Sequence, residues 1–161
     1  MYKATRDFIA ARNKFSQPYG VAHIPHVKRI GGGVQHECYQ NATSFMEKNT
    51  SNENIGMWCG WLVQPFDKIT NSTLILAHWW NIKKTGEHVD TTPLNDSAEY
   101  VQDYSLQKFC VQNNGKLKTH LSHSLIFKDS KFSLITNPFT NESVLVNELS
   151  NEILYRDKWL R

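Results

Sequence analysis

Three residue types that can share one nucleophilic reaction follow one another along this chain. Cys38 comes shortly after a run of three glycines, His78 lies in an Ala-His-Trp-Trp run, and Asp90 precedes Thr-Thr-Pro. A thiol becomes a strong nucleophile when a base takes its proton, and a third group must orient that base. The sequence therefore predicts a catalytic triad of Cys38 as nucleophile, His78 as base and Asp90 as orienting carboxylate.

The surroundings of Cys38 are suited to a thiolate. The glycine run appears immediately before helical spacing begins, and the start of a helix presents unpaired backbone N–H groups that stabilise a thiolate. The same N–H groups can hold an oxyanion, to which the side chains of Gln35 and His36 would add donors. The alternative is that Cys38 is a small apolar residue on a buried helix face, and that His78 is a core histidine.

The elements that must position these residues follow from hydrophobic periodicity. Helical spacing predicts helices over residues 5–15, 36–49, 96–110 and 144–160. Alternating or apolar runs predict strands over 21–30, 56–63, 72–82, 87–91, 122–127 and 131–136. The short loop from Lys83 to Gly86 favours an antiparallel hairpin with His78 on one arm and Asp90 on the other. The chain thus has the means to bring its three candidate residues together.

Short segments around the three residues form a wider pattern: Cys38-x-x-x-Ala42 on a helix, then Gly60-Trp61, His78-x-Trp80 and Asp90-x-Thr92-Pro93 on strands. This pattern resembles the transglutaminase-like branch of the papain-like cysteine-enzyme superfamily, over about residues 31 to 93. The resemblance implies an α+β fold of the papain/transglutaminase type, with the cysteine helix packed on an antiparallel sheet. It also implies hydrolysis or acyl transfer at an amide, as in peptidases, deamidases, amidases and transglutaminases.

One residue departs from that pattern. Glu37 stands where papain-like relatives commonly place a tryptophan. Its carboxylate would raise the pKa of the neighbouring thiol unless the side chain points to solvent. Substrate contacts are predicted for Trp80, Trp61 and Gly33, because aromatic rings can keep a cleft dry and glycine lets the backbone pass close to other groups. Core packing is the alternative for at least two of the tryptophans.

Two further hypotheses compete with a thiol enzyme. The first is a binding or inhibitory module of the same fold without catalysis. The second is a metal-dependent enzyme, for which the possible ligands are His36, Cys38, Cys59, His78, His88 and Asp90. No HExxH or paired CxxC spacing supports a metal site, and no cofactor is expected.

Composition limits the remaining functions. The 161 residues suit one domain over the whole chain, and a net charge of +3 does not favour a dedicated nucleic-acid or membrane binder. No apolar run is long enough to span a bilayer and the first residues lack the apolar core of a signal peptide, so a cytoplasmic location is expected. A protein or peptide substrate is expected, with a small amide as the alternative. The sequence carries no signal for the oligomeric state.

Overall fold

The described part of the chain folds into four helices and nine strands. A computed structural model describes residues 1–16, 20–49, 55–94, 97–112, 124–137 and 139–155. The strands are β1 (Val21–Ile24), β2 (Val27–Arg29), β3 (Ile55–Val63), β4 (Thr73–Lys83), β5 (His88–Asp90), β6 (Glu99–Asp103), β7 (Ser124–Lys128), β8 (Lys131–Asn137) and β9 (Glu142–Val146). The helices are α1 (Lys3–Arg12), α2 (Cys38–Lys48), α3 (Tyr104–Gln112) and α4 (Asn151–Tyr155).

All nine strands belong to one sheet, which makes the fold α+β. The strand order is β1-β6-β3-β4-β7-β8-β9, and every pair along it is antiparallel. The short strand β5 adds to β4 in antiparallel fashion and pairs with β2 in parallel. Strand β4 is therefore the central element, since it contacts β3 along its length and both β7 and β5 on its other edge.

Strand alternation divides the sheet into two faces. Trp61, Ile75 and Trp79 point to one face, where they form the larger core together with Phe8 of α1 and Ala42 of α2. A smaller apolar cluster covers part of the opposite face and contains Leu62, Trp80, Tyr100, Ile24 and Ala98. His78 lies between Leu76 and Trp80 in the alternation, so its side chain belongs to this second face.

The central elements agree with the sequence-based predictions, whereas two later ones do not. Helix α2, strands β3 to β5 and the hairpin between β4 and β5 are confirmed. The helix predicted over 96–110 is wrong in its first half, where strand β6 precedes α3. The helix predicted over 144–160 is also wrong: 142–146 form β9, only Asn151–Tyr155 are helical, and residues 156–160 lie outside the described part. No helix among the described residues is long and apolar enough to cross a membrane.

Candidate active site

A break in the edge of β4 makes room for the start of α2. Strand β7 pairs with residues 73–76 of β4 and β5 pairs with residues 81–82, so no described strand covers residues 77–80 on that edge. Cys38 is the first residue of α2, and its thiol lies close enough to the backbone N–H of Trp79 in this gap for that N–H to lower the thiol pKa. The gap thus brings the helix start against the strand that carries His78.

Cys38, His78 and Asp90 lie next to one another in that order. His78 Nε2 lies 2.6 Å from Asp90 Oδ2, and the pair is almost fully buried. The Cys38 thiol lies near the same ring, close enough for each group to shift the pKa of the other. Because Nε2 faces the carboxylate, the nitrogen that faces the thiol is Nδ1. The geometry therefore joins the three residues in the order that the sequence predicts.

The pKa values of Cys38 and His78 shift towards the charged forms. Burial raises the pKa of the Cys38 thiol, but the hydrogen bond and charge of His78 and the Trp79 N–H outweigh it, so the pKa lies below its usual value. Burial lowers the pKa of His78, but its hydrogen bonds to Asp90 and Cys38 and their charges raise it to about 9. These directions favour a thiolate–imidazolium pair near neutral pH.

Asp90 is held in place by two residues besides His78. Its Oδ2 also accepts a hydrogen bond from the Tyr100 hydroxyl at 2.7 Å, and its Oδ1 accepts one from the backbone N–H of Thr92 at 2.8 Å. Burial raises the pKa of Asp90, but His78, Tyr100 and Thr92 together bring it below its usual value. Burial and the carboxylate charge raise the pKa of Tyr100, so its hydroxyl remains a donor. The carboxylate that orients His78 is thus fixed and ionised.

The glycine loop is fastened to α2 and to the segment after β5. The side chain of Asn41 accepts a hydrogen bond from the Val34 N–H at 2.8 Å and donates one to the Val34 carbonyl at 2.7 Å. The N–H of Gly33 bonds to the carbonyl of Thr91 at 2.9 Å. A Cβ on Gly33 would lie 2.5 Å from Cγ of Asn41, so only glycine fits there. Gly33 therefore shapes the loop that leads to Cys38 and is not among the residues that line the cleft, so its role in substrate binding stays a prediction.

Gln35 and His36 lie in the segment that leads into α2, just before Cys38. Both residues line the same cleft as Cys38, and both are exposed. His36 has a φ of 66°, a left-handed conformation that a non-glycine residue adopts only at a cost in energy. This turn lets the chain enter α2 with Cys38 as its first residue. Glu37, whose carboxylate would raise the thiol pKa if it faced Cys38, is exposed to solvent.

A cleft of about 780 Å³ opens at the thiol. Its volume lies within the range of pockets that bind small molecules and short peptides. Cys38 and His78 lie among its walls. Further walls come from strands β3, β4, β7 and β8, the turn between β3 and β4, and the chain around residues 92–94. The Cys38 side chain is partly exposed, so a reagent in the cleft can reach it.

The two tryptophans predicted to contact substrate are buried instead. Trp61 has 0% exposure in the larger core, where its Nε1 donates to Asp103 at 2.9 Å. Trp80 also has 0% exposure and lies almost parallel to the His78 ring, with 6.2 Å between centroids. Its Nε1 donates to His88 Nδ1 at 2.8 Å. Neither residue lines the cleft, because each fills the interior on its own face of the sheet.

Several supporting residues were not predicted from the sequence. The helix predicted over 96–110 includes Tyr100. The run Glu99–Asp103 nevertheless has the alternation and the β-branched and aromatic residues that are typical of a strand. Asn41 lies one helical turn after Cys38, but no local signal indicated its bond to the loop. Across the described residues, no group of three or more His, Cys, Asp or Glu side chains is arranged to hold a metal ion.

No protein-family model, curated protein or solved structure matches this chain.

Proposed function

We propose that the chain is a cysteine-dependent enzyme that hydrolyses an amide bond or transfers its acyl group. The observation that carries the proposal is the placement of Cys38, His78 and Asp90: a buried histidine–carboxylate hydrogen bond lies next to a partly exposed thiol in a cleft. A buried carboxylate, a histidine with a raised pKa and a thiol with a lowered pKa are the groups that nucleophilic acyl chemistry requires. A structural histidine in a core would not need the thiol as its second partner.

The proposed reaction has two steps. The Cys38 thiolate attacks the amide carbon, and the His78 imidazolium gives its proton to the nitrogen that leaves as an amine. The thioester that remains is attacked by water or by an acceptor amine, which returns a proton to His78 and frees the thiolate. In both steps the Cys38 backbone N–H, with Gln35 or His36, would stabilise the oxyanion.

The fold and setting belong to the same proposal. We interpret the α+β fold as papain/transglutaminase-like, because a cysteine at the start of a helix, a histidine on one strand and an aspartate on the next follow in that order. The substrate is a protein or peptide, the location is cytoplasmic, and no cofactor, nucleic acid or membrane takes part. If the chain were instead a non-catalytic module or a metal enzyme, the labelling experiment described next would give a different result.

The test is the pH dependence of iodoacetamide alkylation, read for each cysteine by mass spectrometry. Cys59 and Cys110 are fully buried thiols and serve as internal references. In the wild type, Cys38 should react rapidly below pH 7, and His78→Ala should remove that reactivity. Slow labelling that follows an ordinary thiol pKa of about 8.5 would contradict the proposal. It would favour a module without catalysis or, if elemental analysis finds a bound metal, a metal enzyme.

Turnover provides the second test. Once a substrate is known, Cys38→Ala should abolish turnover while leaving the fold and substrate binding nearly intact, since only the nucleophile is lost. Full activity of the alanine variant on that substrate would rule the mechanism out.

A further inference from the structure

An aliphatic track leads away from His78 on its own face of the sheet. Strand alternation places Leu76 and Leu74 on the same side of β4 as His78. The strand register then continues this side across the sheet, because Leu62 of β3 pairs with Leu76 and Ile126 of β7 pairs with Leu74. Ile135 of β8 joins the same face, two residues after the Ser133 that pairs with Ile126.

These five side chains, which we call the aliphatic track, all line the cleft that contains Cys38. Four of them are partly exposed and Leu62 is nearly buried, so the track forms a floor that is open to a ligand. Among the described residues that line the cleft, none is Lys or Arg and the only carboxylate is Asp67. Asp67 lies on the exposed turn between β3 and β4, where its oxygens already bind the Ile69 N–H and the Thr70 hydroxyl.

Polar side chains stand around this floor. Gln64, Thr70, Ser72 and Asn141 line the same cleft as the aliphatic track. A peptide can place apolar side chains on the floor while its own N–H and C=O groups meet such polar neighbours. A plain hydrocarbon chain would cover these groups without offering them hydrogen bonds, which is unfavourable.

The length of the track also suits a peptide. Leu74 lies four residues from His78 along β4, which corresponds to about 13 Å at a rise of about 3.3 Å per residue. An extended peptide of about four residues spans the same distance. The cleft is thus long enough to hold several residues on one side of a scissile amide.

We infer that the substrate of this site is an extended peptide segment with uncharged aliphatic side chains beside the amide that Cys38 attacks. This inference rests on the proposed function and adds a substrate class to it. Leu74, Leu76 and Ile126 select the segment, and charged side chains at the same positions are rejected because the track gives them no partner.

The experiment compares reagents that all react with Cys38 but fill the cleft differently. Three tetrapeptide vinyl sulfones carry leucine, aspartate or lysine at their side-chain positions, a fourth vinyl sulfone carries a decanoyl chain, and iodoacetamide measures the reactivity of the thiol alone. The leucine peptide should label Cys38 at least 10-fold faster than either charged peptide and faster than the decanoyl reagent.

Variants of the floor sharpen the comparison. Leu74→Asp should lower the rate of the leucine peptide, divided by the iodoacetamide rate of the same variant, by at least 10-fold. Using this ratio prevents a loss of folded protein from imitating the effect. Ile69→Asp is the matched control, because Ile69 is 95% exposed on the nearby turn and does not line the cleft; its ratio should equal that of the wild type.

The outcomes separate this inference from the proposed function. Equal labelling by all peptides, with rapid iodoacetamide alkylation below pH 7, would overturn the aliphatic-peptide inference and leave the thiol enzyme standing. A faster decanoyl reagent would overturn it in favour of a lipid acyl substrate. Failure of Cys38 to react with iodoacetamide below pH 7 would overturn both.

Discussion

Replacing Asp90 by asparagine should uncouple Cys38 from His78. The side chains have nearly the same shape, so the Thr92 N–H can still bond to the amide oxygen, but the negative charge beside the imidazole is lost. Burial, which lowers the pKa of His78, is then no longer outweighed by Asp90. We expect the pKa of His78 to fall from about 9 to 6.5 or below.

The size of the effect follows from that shift. A change of about 2.5 pKa units corresponds to about 3 kcal/mol in the stability of the imidazolium. Without the imidazolium, the thiol loses the contributions of His78 that lower its pKa, whereas burial still raises it. A thiol with the ordinary pKa of about 8.5 is only about 1% thiolate at pH 6.5. The rate of Cys38 alkylation at pH 6.5 should therefore fall up to about 100-fold, and its half-maximal pH should rise above 8.

The assay is iodoacetamide labelling of Cys38 between pH 5 and 10, with circular dichroism to show that the variant is folded. Asp129→Asn is the control, because it makes the same chemical change at an exposed turn residue that does not line the cleft. A folded Asp90→Asn protein with the wild-type pH profile would refute the reasoning, since the charge of Asp90 would then have no influence on the thiol.

Three further outcomes follow from the same contacts. A Cys38→Ala variant isolates the effect of Asp90 on His78. The Asp90 bond and charge raise the pKa of the folded His78, whereas an unfolded histidine titrates near a pKa of about 6.5, so above pH 7 the folded variant holds a proton that the unfolded chain has lost. Its stability in denaturant titrations should therefore fall as the pH rises from 7 to 8.5, by up to about 1.4 kcal/mol per pH unit. A Cys38→Ala variant whose stability does not fall over this range would contradict the contribution of Asp90 to the raised pKa of His78. Trp80→Phe and Trp61→Phe each remove a buried indole N–H, so each should destabilise the fold by about 1–3 kcal/mol. Only Trp80→Phe should change the pH profile of Cys38 alkylation, because Trp80 lies beside His78. If both variants keep the wild-type pH profile, Trp80 contributes packing alone. Gly60→Ala would place a Cβ 2.4 Å from a carbonyl of the neighbouring strand and 2.5 Å from the Trp80 ring, so it should cost at least about 1–3 kcal/mol in urea unfolding, and a change within about 0.5 kcal/mol would contradict that packing.

Local patterns were sufficient for the elements that carry the candidate triad. The helix that begins at Cys38, the strand with His78 and the hairpin that leads to Asp90 follow from spacing over a few residues, because periodicity and a short loop determine them. The pairing of His78 with Asp90 then needs only the correct hairpin. This part of the site was predictable since neighbours in space are also close in sequence.

Tertiary structure decided which partners complete the site. Tyr100 reaches Asp90 because β6 inserts beside β3, and no spacing along the chain encodes which strands become neighbours. The burial of Trp80 likewise depends on the missing side chain of Gly60 across the ladder. Both contacts depend on which strands become neighbours, and separation along the chain does not decide that.

The sequence by itself determined the order of nucleophile, base and carboxylate and the local elements that carry them. The gap in the edge of β4 that admits Cys38, the face on which each tryptophan lies, and the cleft with its aliphatic floor arose only when distant strands paired. The physical reason is that strand alternation determines which side chains share a face of the sheet. Whether that face is buried or exposed to solvent depends on which distant parts of the chain pack against it.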